Sequence, residues 1–497
     1  MSLEKPNIFY RFRPIARLLG QPSVPEKLAE DGTCLEPAKP AVLGELEEGY
    51  IFFPSPESLN DPYEGYTKFH WAGDQIVWTN LFKHYVHSLG IHHVDRMVEA
   101  KQRPIPAAPS RAPQRLWAVF EEAAELIVAD ERIQAHIREL AHSERQVSKS
   151  ELQIQFMAVH PFISDRLFFV FAQRGLVADY TARGDEARSL SDVLLAAQAH
   201  ANLNNLPSEG IETHFFRLGV VTRAANFTLA VAQKRVGGED EIIVDFPTLY
   251  TEQLASLTHS PWYVACFMSD CTNSAIWGSY GNNHSGACLI FDTIPNDDED
   301  RCLMLSVPQE RSDGWKTRDW RAKLQKVEYT DVSLELNFFE CLFHLTRSEL
   351  DSNWLTDGKG GVSTASRGYG TTATNDKYWD GLEKRLTRKW DDWAQENEYR
   401  IVYNPSLMDA SKPEHRKLKY QFSSLKGICF GAKTRFEDMV ALVDKITELC
   451  EKNDRSDFLF QQAVHNPITN KLQIVPLVTL TEVIDGKLRK GSIPLPR

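Results

Sequence analysis

Two glutamates stand one residue apart in WAQENEYRIVY, at positions 396 and 398, where a strand-like run opens. Residues two apart on a strand share a face, so Glu396 and Glu398 are expected to point the same way. Such a pair supports two chemistries: one carboxylate raises the pKa of the other for acid and base work, or both gather a cation. The structural alternative is a strand-end pair bonded to Arg400 or Lys389. Far upstream, IFYRFRP alternates Ile8, Tyr10 and Phe12 with Phe9, Arg11 and Arg13. A strand there offers a planar guanidinium, from Arg11 or Arg13, to a phosphate or carboxylate, with Tyr10 beside it. In SLNDPYEG, Asn60 and Asp61 before Pro62 suit a rigid turn. A sharper reading has that turn aim Asp61 and Glu64 into the arginine's cleft to pin the guanidinium. Trp277 and Tyr280, three apart in SAIWGSYG, share a face of a helical turn. They would stack a nicotinamide or adenine ring, or else cap the core. His284 could position a hydroxyl or phosphate.

The elements that must hold these residues come from both ends of the chain. Strand-like runs at YIFFP, WYVACFMS, GACLIFD, KVEYT, EYRIVYN and LKGICFG join the first strand, and TRFEDMVALVDKITELCEKN reads as a closing helix. Between about Gln75 and Ala255 the spacing is helical, as in LWAVFEEAAELIVADERIQAHIREL and SLSDVLLAAQAHANL, with a proline-rich break at 103–115. The expected fold is therefore α+β: a mixed sheet built from residues 1–66 and 258–497, and a mainly helical insertion over 67–257. The Gly-, Ser- and Thr-rich stretch 350–378 is expected to be a flexible loop or lid.

With 497 residues, 42% of them hydrophobic and 25% charged, the chain has the composition of a globular protein, and no uninterrupted apolar run long enough to cross a bilayer is evident. The N-terminus lacks a secretory pattern, so the protein is expected in the cytoplasm. The eight cysteines show no CxxC pairing and are expected to be reduced. His84, His87, His92 and His93 match no common metal spacing, and GKGG lacks the context of a phosphate loop. A net charge of −12 argues against nucleic acid gripped by the whole surface; Lys384, Arg385, Arg388 and Lys389 read as a solvated helix face or a local basic patch.

In order and spacing, YRFRP, FFPSPESLNDPYEG, CFMSDCTNSAIWGSYGNNHSGACLIFD and KWDDWAQENEYRIVYN with LKGICFG resemble the bacterial domain-of-unknown-function family 2971, over about residues 7–66 and 258–435. The resemblance implies a stand-alone bacterial or phage-borne protein with a role in defence or toxin systems. The order Arg11 or Arg13, then Ser363, Thr364 and Ser366, then Glu396 and Glu398 is also similar to the arginine, serine, glutamate arrangement of ADP-ribosyltransferases. That likeness implies NAD as substrate, with the arginine on a phosphate. Glu398 would hold the ribose hydroxyl and face the oxocarbenium-like transition state. The leading expectation is thus an ADP-ribosyltransferase or NAD glycohydrolase-like effector, with Arg13, Tyr280 and Glu398 as principal residues and Glu396 beside them. Its partners would be a nucleotide and a macromolecular acceptor of ADP-ribose. Two rivals stand: a nuclease-like enzyme holding magnesium or manganese on Asp61, Glu64, Glu396 and Glu398, and a sensor that binds a nucleotide or phage protein without turnover.

Overall fold

The computed structural model describes residues 6–479 apart from 22–26, 29–33, 37–40, 62–64, 66, 99–104, 106–113, 143–145, 178–207, 233–244, 312–313, 370–371, 406–409 and 411. The fold is α+β, and the chain divides into two compact units. Unit 1 comprises Met1–Gly65, Pro261–Asp331 and Leu386–Arg497; unit 2 comprises Tyr66–Ser260 and Val332–Arg385.

Unit 1 is built on an eight-stranded sheet. In chain order its strands are β1 (Ile8–Arg13), β2 (Tyr263–Met268), β3 (Ala287–Asp292), β4 (Gln325–Lys326), β5 (Glu398–Tyr403), β6 (Leu425–Phe430), β7 (Leu459–Asn466) and β8 (Lys471–Thr479). They lie in the order β4-β5-β2-β1-β3-β6-β7-β8, so the N-terminal strand sits among strands from the C-terminal half. The sheet is mixed: β6 and β7 run parallel, and the other pairs are antiparallel. A parallel pair needs a crossover. Of the unit's helices, α1 (Ile15–Leu19), α2 (Glu45–Glu48), α3 (Ser274–Ser279) and α4 (Phe436–Lys452), the last provides it. Leu442, Ile446 and Cys450, four apart on α4, are buried in the cluster that contains Phe9, Phe291 and Phe430. Phe12, Cys288 and Trp277 form a separate cluster, so β1 has apolar packing on both faces and alternates as its sequence implies.

One joint in this sheet is weak. β1 pairs with β3 over all six of its residues, but with β2 at Tyr10–Met268 alone. Past that pair the Arg11 guanidinium donates to Cys266 O on β2 at 3.1 Å, so a carbonyl at the opening has a side-chain partner.

Unit 2 contains the helices Gln75–Met97, Gln114–Val128, Glu131–Leu140, Lys149–Gln173, Ser208–Ala232 and Phe246–Gln253, and a small sheet of Lys68–Trp71, Val147–Ser148 and Glu335–Asn337. Residues 332–385 belong here because Phe338, Phe339, Trp354 and Tyr369 share one core with Trp71, Trp78, Tyr85 and Phe156. Within the stretch expected as a loop or lid, Asp351–Leu355 and Thr364–Gly368 form helical turns. Asp74 ties down the second: it caps the helix Gln75–Met97 and accepts from Ser363 Oγ at 2.9 Å and Thr364 N at 2.6 Å, while Asn80 Nδ2 holds the first by donating to Trp354 O at 2.8 Å. The helix Lys149–Gln173 is long and apolar enough to cross a membrane, which the sequence reading did not foresee, but 67% of its apolar window is buried inside the protein. It is read as a core helix. The buried histidines also serve packing: His84 Nδ1 lies 2.8 Å from the Tyr250 hydroxyl, and burial pushes His93 down to about 3. The segment 189–203, expected as a helix, lies outside the described residues.

Candidate functional site

A cleft of about 200 Å³ in unit 1 gathers residues that are far apart in sequence. Tyr10, Arg11 and Arg13 come from β1, Asn60 from the turn after the strand Tyr50–Phe52, Tyr280 from the end of α3, and Lys389 and Glu398 from the entry to β5. Cys266 and Met268 of β2 complete that wall, at the weak joint of the sheet. Asp61 is buried at 3% exposure and is not among the lining residues. Tyr63 and Glu64 lie outside the described residues.

Glu396 and Glu398 do converge, though not by strand alternation. Glu396 ends a short 3-10 turn and Glu398 begins β5; between them Asn397 takes a left-handed φ of 46°, a conformation Asn tolerates better than most residues. Both carboxylates then reach one ammonium, with Lys389 Nζ 2.8 Å from Glu396 Oε2 and 3.4 Å from Glu398 Oε2. Arg400 grips Glu398 with two bonds, Nε to Oε1 at 2.8 Å and Nη2 to Oε2 at 3.1 Å, and spends Nη1 on Leu386 O. The Tyr280 hydroxyl donates to Glu396 Oε1 at 2.7 Å, and the Tyr329 hydroxyl accepts from Glu398 N at 2.8 Å.

These contacts push the two carboxyls apart in acidity. For Glu396, burial wins over Lys389 and Tyr280 and raises the pKa. Glu398 is also raised by burial, but the Arg400 fork and Lys389 outweigh this and hold it down at about 2. Glu398 is therefore a fixed anion throughout the physiological range, and Glu396 is the member that can take a proton. Burial, with Glu396 next, raises the Tyr280 phenol far above its ordinary value, so it remains a donor.

The two arginines of β1 share a face but not a state. Arg13 was expected to present its fork to a ligand; instead Glu45 of α2 closes it, accepting from Nε at 2.7 Å and from Nη2. Arg11 is 5% exposed and gives its two terminal nitrogens to carbonyls, Cys266 O at 3.1 Å and Phe52 O at 2.9 Å. Its Nε is buried with no hydrogen-bond partner. Burial, with Arg13 next, lowers its pKa to about 10 against a raising effect from Glu45, so it stays a cation, and its hydrogen bonds go to carbonyls and to no carboxylate. Counting Arg13 with Glu45, and Lys389 and Arg400 with the two glutamates, leaves Arg11 as the surplus charge, and the cleft favours an anion.

Other candidates take different places. Of the two readings of Trp277, stacking a ligand ring or capping the core, the second holds: it is fully buried, edge-on to Phe12 at 4.8 Å, with its indole N–H on Cys271 O at 2.7 Å. It is core, and Tyr280 alone of the pair lines the cleft. His284, half-buried at φ 68°, is held through its backbone to Trp277 and Lys433 and does not line the cleft. Arg400 is wholly enclosed and acts on Glu398 rather than on the cleft. Ser363 and Thr364 belong to unit 2, where Asp74 takes their hydroxyls. Among the described residues no group of three His, Cys, Asp or Glu could hold a metal ion, and Lys389 occupies the place between Glu396 and Glu398. Sequence reasoning missed Glu45, Tyr329 and Cys266; GELEEG carries no chemical signal until Arg13 is seen against it.

Residues 276–401 match the family model described as a protein of unknown function, DUF2971. The DUF2971 span takes in Tyr280, Lys389, Glu396, Glu398 and Arg400, and runs through 350–378; β1 and the turn at Asn60 lie outside it. Neither a curated protein nor a solved structure is found to match the chain.

Proposed function

We propose that unit 1 is an NAD-consuming enzyme, an ADP-ribosyltransferase or NAD glycohydrolase. The observation that carries this reading is the meeting of Arg11, Tyr10, Tyr280 and the fixed anion Glu398 in one cleft, although β1, α3 and β5 supply them from opposite ends of the chain. A surplus buried guanidinium suits a phosphate of the dinucleotide. Tyr10 and Tyr280 give walls for a ring or ribose. Glu398 faces the position where charge develops.

The reaction asks little more of the protein. The bond between the anomeric carbon and the nicotinamide nitrogen breaks, its electron pair leaving with nicotinamide, and the ribose carbon becomes positive. An anion already in place stabilises that state without reorganising. Arg400 and Lys389 offset part of Glu398's charge, and in exchange they fix its orientation. The acceptor oxygen or nitrogen then forms the new bond and gives up its proton: water as acceptor makes a glycohydrolase, and a nucleophile on a macromolecule makes a transferase. Glu396 does not line the cleft and would receive that proton by way of Tyr280, which lines it and whose hydroxyl donates to Glu396 Oε1.

The test is release of nicotinamide from NAD by the purified full-length chain, comparing wild type with Glu398→Gln, Arg11→Met and Tyr280→Phe. Loss in the first two with retained folding supports the reading. NAD that binds saturably without turnover would convert the enzyme into a sensor.

A further inference from the structure

Unit 2 holds its own cleft, of about 410 Å³, that takes no part in the chemistry above. Its wall carries a second buried arginine. Arg385 is 4% exposed; Nη1 donates to Thr258 Oγ1 at 3.1 Å, the guanidinium carbon lies 5.8 Å from the Phe69 ring centre, and Nη2 is buried with no hydrogen-bond partner. None of these contacts is a carboxylate. A buried cationic N–H without an acceptor is expensive, and an oxyanion in the cleft removes that cost.

Two further features of the wall suit a ligand. Phe343 and Tyr378 lie nearly parallel, 29° apart with ring centres at 4.7 Å, and the Tyr378 hydroxyl is anchored on Thr258 O at 2.7 Å, so they present a fixed aromatic face. Gly381 stands inside the helix Thr372–Leu386, where glycine is a poor choice, yet a Cβ built there meets nothing within 4 Å. The fold does not require a glycine at that point; the cleft benefits from one. Glu335 and Glu340, both exposed, add negative charge to the lining, with Glu335 partly answered by Lys68 at 2.9 Å. They disfavour a multiply charged ligand.

We propose that this cleft binds a small planar ring carrying a single negative charge, a carboxylate or a phosphodiester, with the anion on Arg385 Nη2 and the ring along Phe343 and Tyr378. The site is independent of the NAD reading of unit 1.

Calorimetric titration of the full chain tests it with two probes, benzoate for the carboxylate and cyclic adenosine monophosphate for the phosphodiester, each against its uncharged counterpart, benzamide and adenosine. At least one anion is expected to saturate, and to bind at least tenfold more tightly than its neutral counterpart. Arg385→Met and Gly381→Phe are each expected to weaken it at least tenfold. Gly381→Phe serves where loss of the buried arginine disturbs folding, because it fills the cleft while removing a glycine from a helix. Failure of both anions to saturate at millimolar concentration overturns the proposal, as does binding that survives both variants. Binding lost in Arg11→Met but kept in Gly381→Phe belongs to unit 1 and overturns it equally.

Discussion

Lys389→Met should cost unit 1 stability in a pH-dependent way. The Lys389 side chain is 3% exposed, and methionine of similar length refills its volume, so the change removes a charge and opens little cavity. Glu398 keeps both bonds to Arg400, whereas Glu396 is left with the Tyr280 hydroxyl. Glu396 is already raised above its ordinary 4.5 by burial with the ammonium in place; without it the pKa climbs further, and the residue takes up a proton on folding. A carboxyl whose folded pKa is raised contributes its stability fully below the unfolded pKa and loses it as pH rises towards the folded one, at about 1.4 kcal/mol per pH unit. Breaking a buried pair on one side typically costs about 3–5 kcal/mol, and this cost should be larger at pH 7, where Glu396 must either bury its charge unpaired or take up a proton. At pH 5, nearer the unfolded pKa, the gap between variant and wild type should be smaller. Urea unfolding followed by tryptophan fluorescence reads this out, since Trp393 lies 4.5 Å from Lys389 Nζ and senses the cluster. A gap between variant and wild type that is equal at the two pH values, or under about 1 kcal/mol at pH 7, would refute the argument.

Three further outcomes follow from the contacts above. Arg11→Met removes a buried cation but also leaves Cys266 O and Phe52 O without their donor, so urea stability should fall by about 1–3 kcal/mol while KM for NAD rises more than about tenfold in steady-state kinetics. Glu45→Gln frees the Arg13 fork and adds positive charge to the cleft, so NAD should bind several-fold more tightly by calorimetry, and the gain should shrink with added salt. Asp74→Ala removes the cap of the helix Gln75–Met97 and the anchor of Ser363 and Thr364, at a cost of about 2–4 kcal/mol in urea unfolding. Burial raises the Asp74 pKa, but bonds from Thr364 and Ser363 lower it below the ordinary 3.8. Its contribution is therefore present above that value, and the difference from Asp74→Ala should narrow as pH falls below it.

The sequence displayed the strands of unit 1 well, because IFYRFR, ACLIFD and EYRIVY carry their own period or apolar run. Of the residues it singled out, Tyr10, Arg11, Arg13, Asn60, Tyr280 and Glu398 line the cleft. What it could not show was pairing across distance. Arg11 and Arg13 share a face, so strand alternation does not distinguish them; Glu45, 32 residues beyond Arg13, does. Glu396 and Glu398 meet through a left-handed Asn397, not through a strand. Lys384, Arg385, Arg388 and Lys389 read as a basic helix face, yet Arg385 and Lys389 are buried, one at each cleft. The polar stretch 350–378 hides Trp354 and Tyr369, two core residues spaced too widely among glycines and serines to register as a pattern.

The most direct measurement is release of free nicotinamide from NAD by the full-length chain, wild type beside Glu398→Gln. Glutamine keeps the shape of the side chain and removes the fixed anion. The account predicts turnover by the wild type and a loss of at least about a hundredfold in the variant, with saturable NAD binding retained. Equal turnover by both proteins, or no turnover by either, would contradict it.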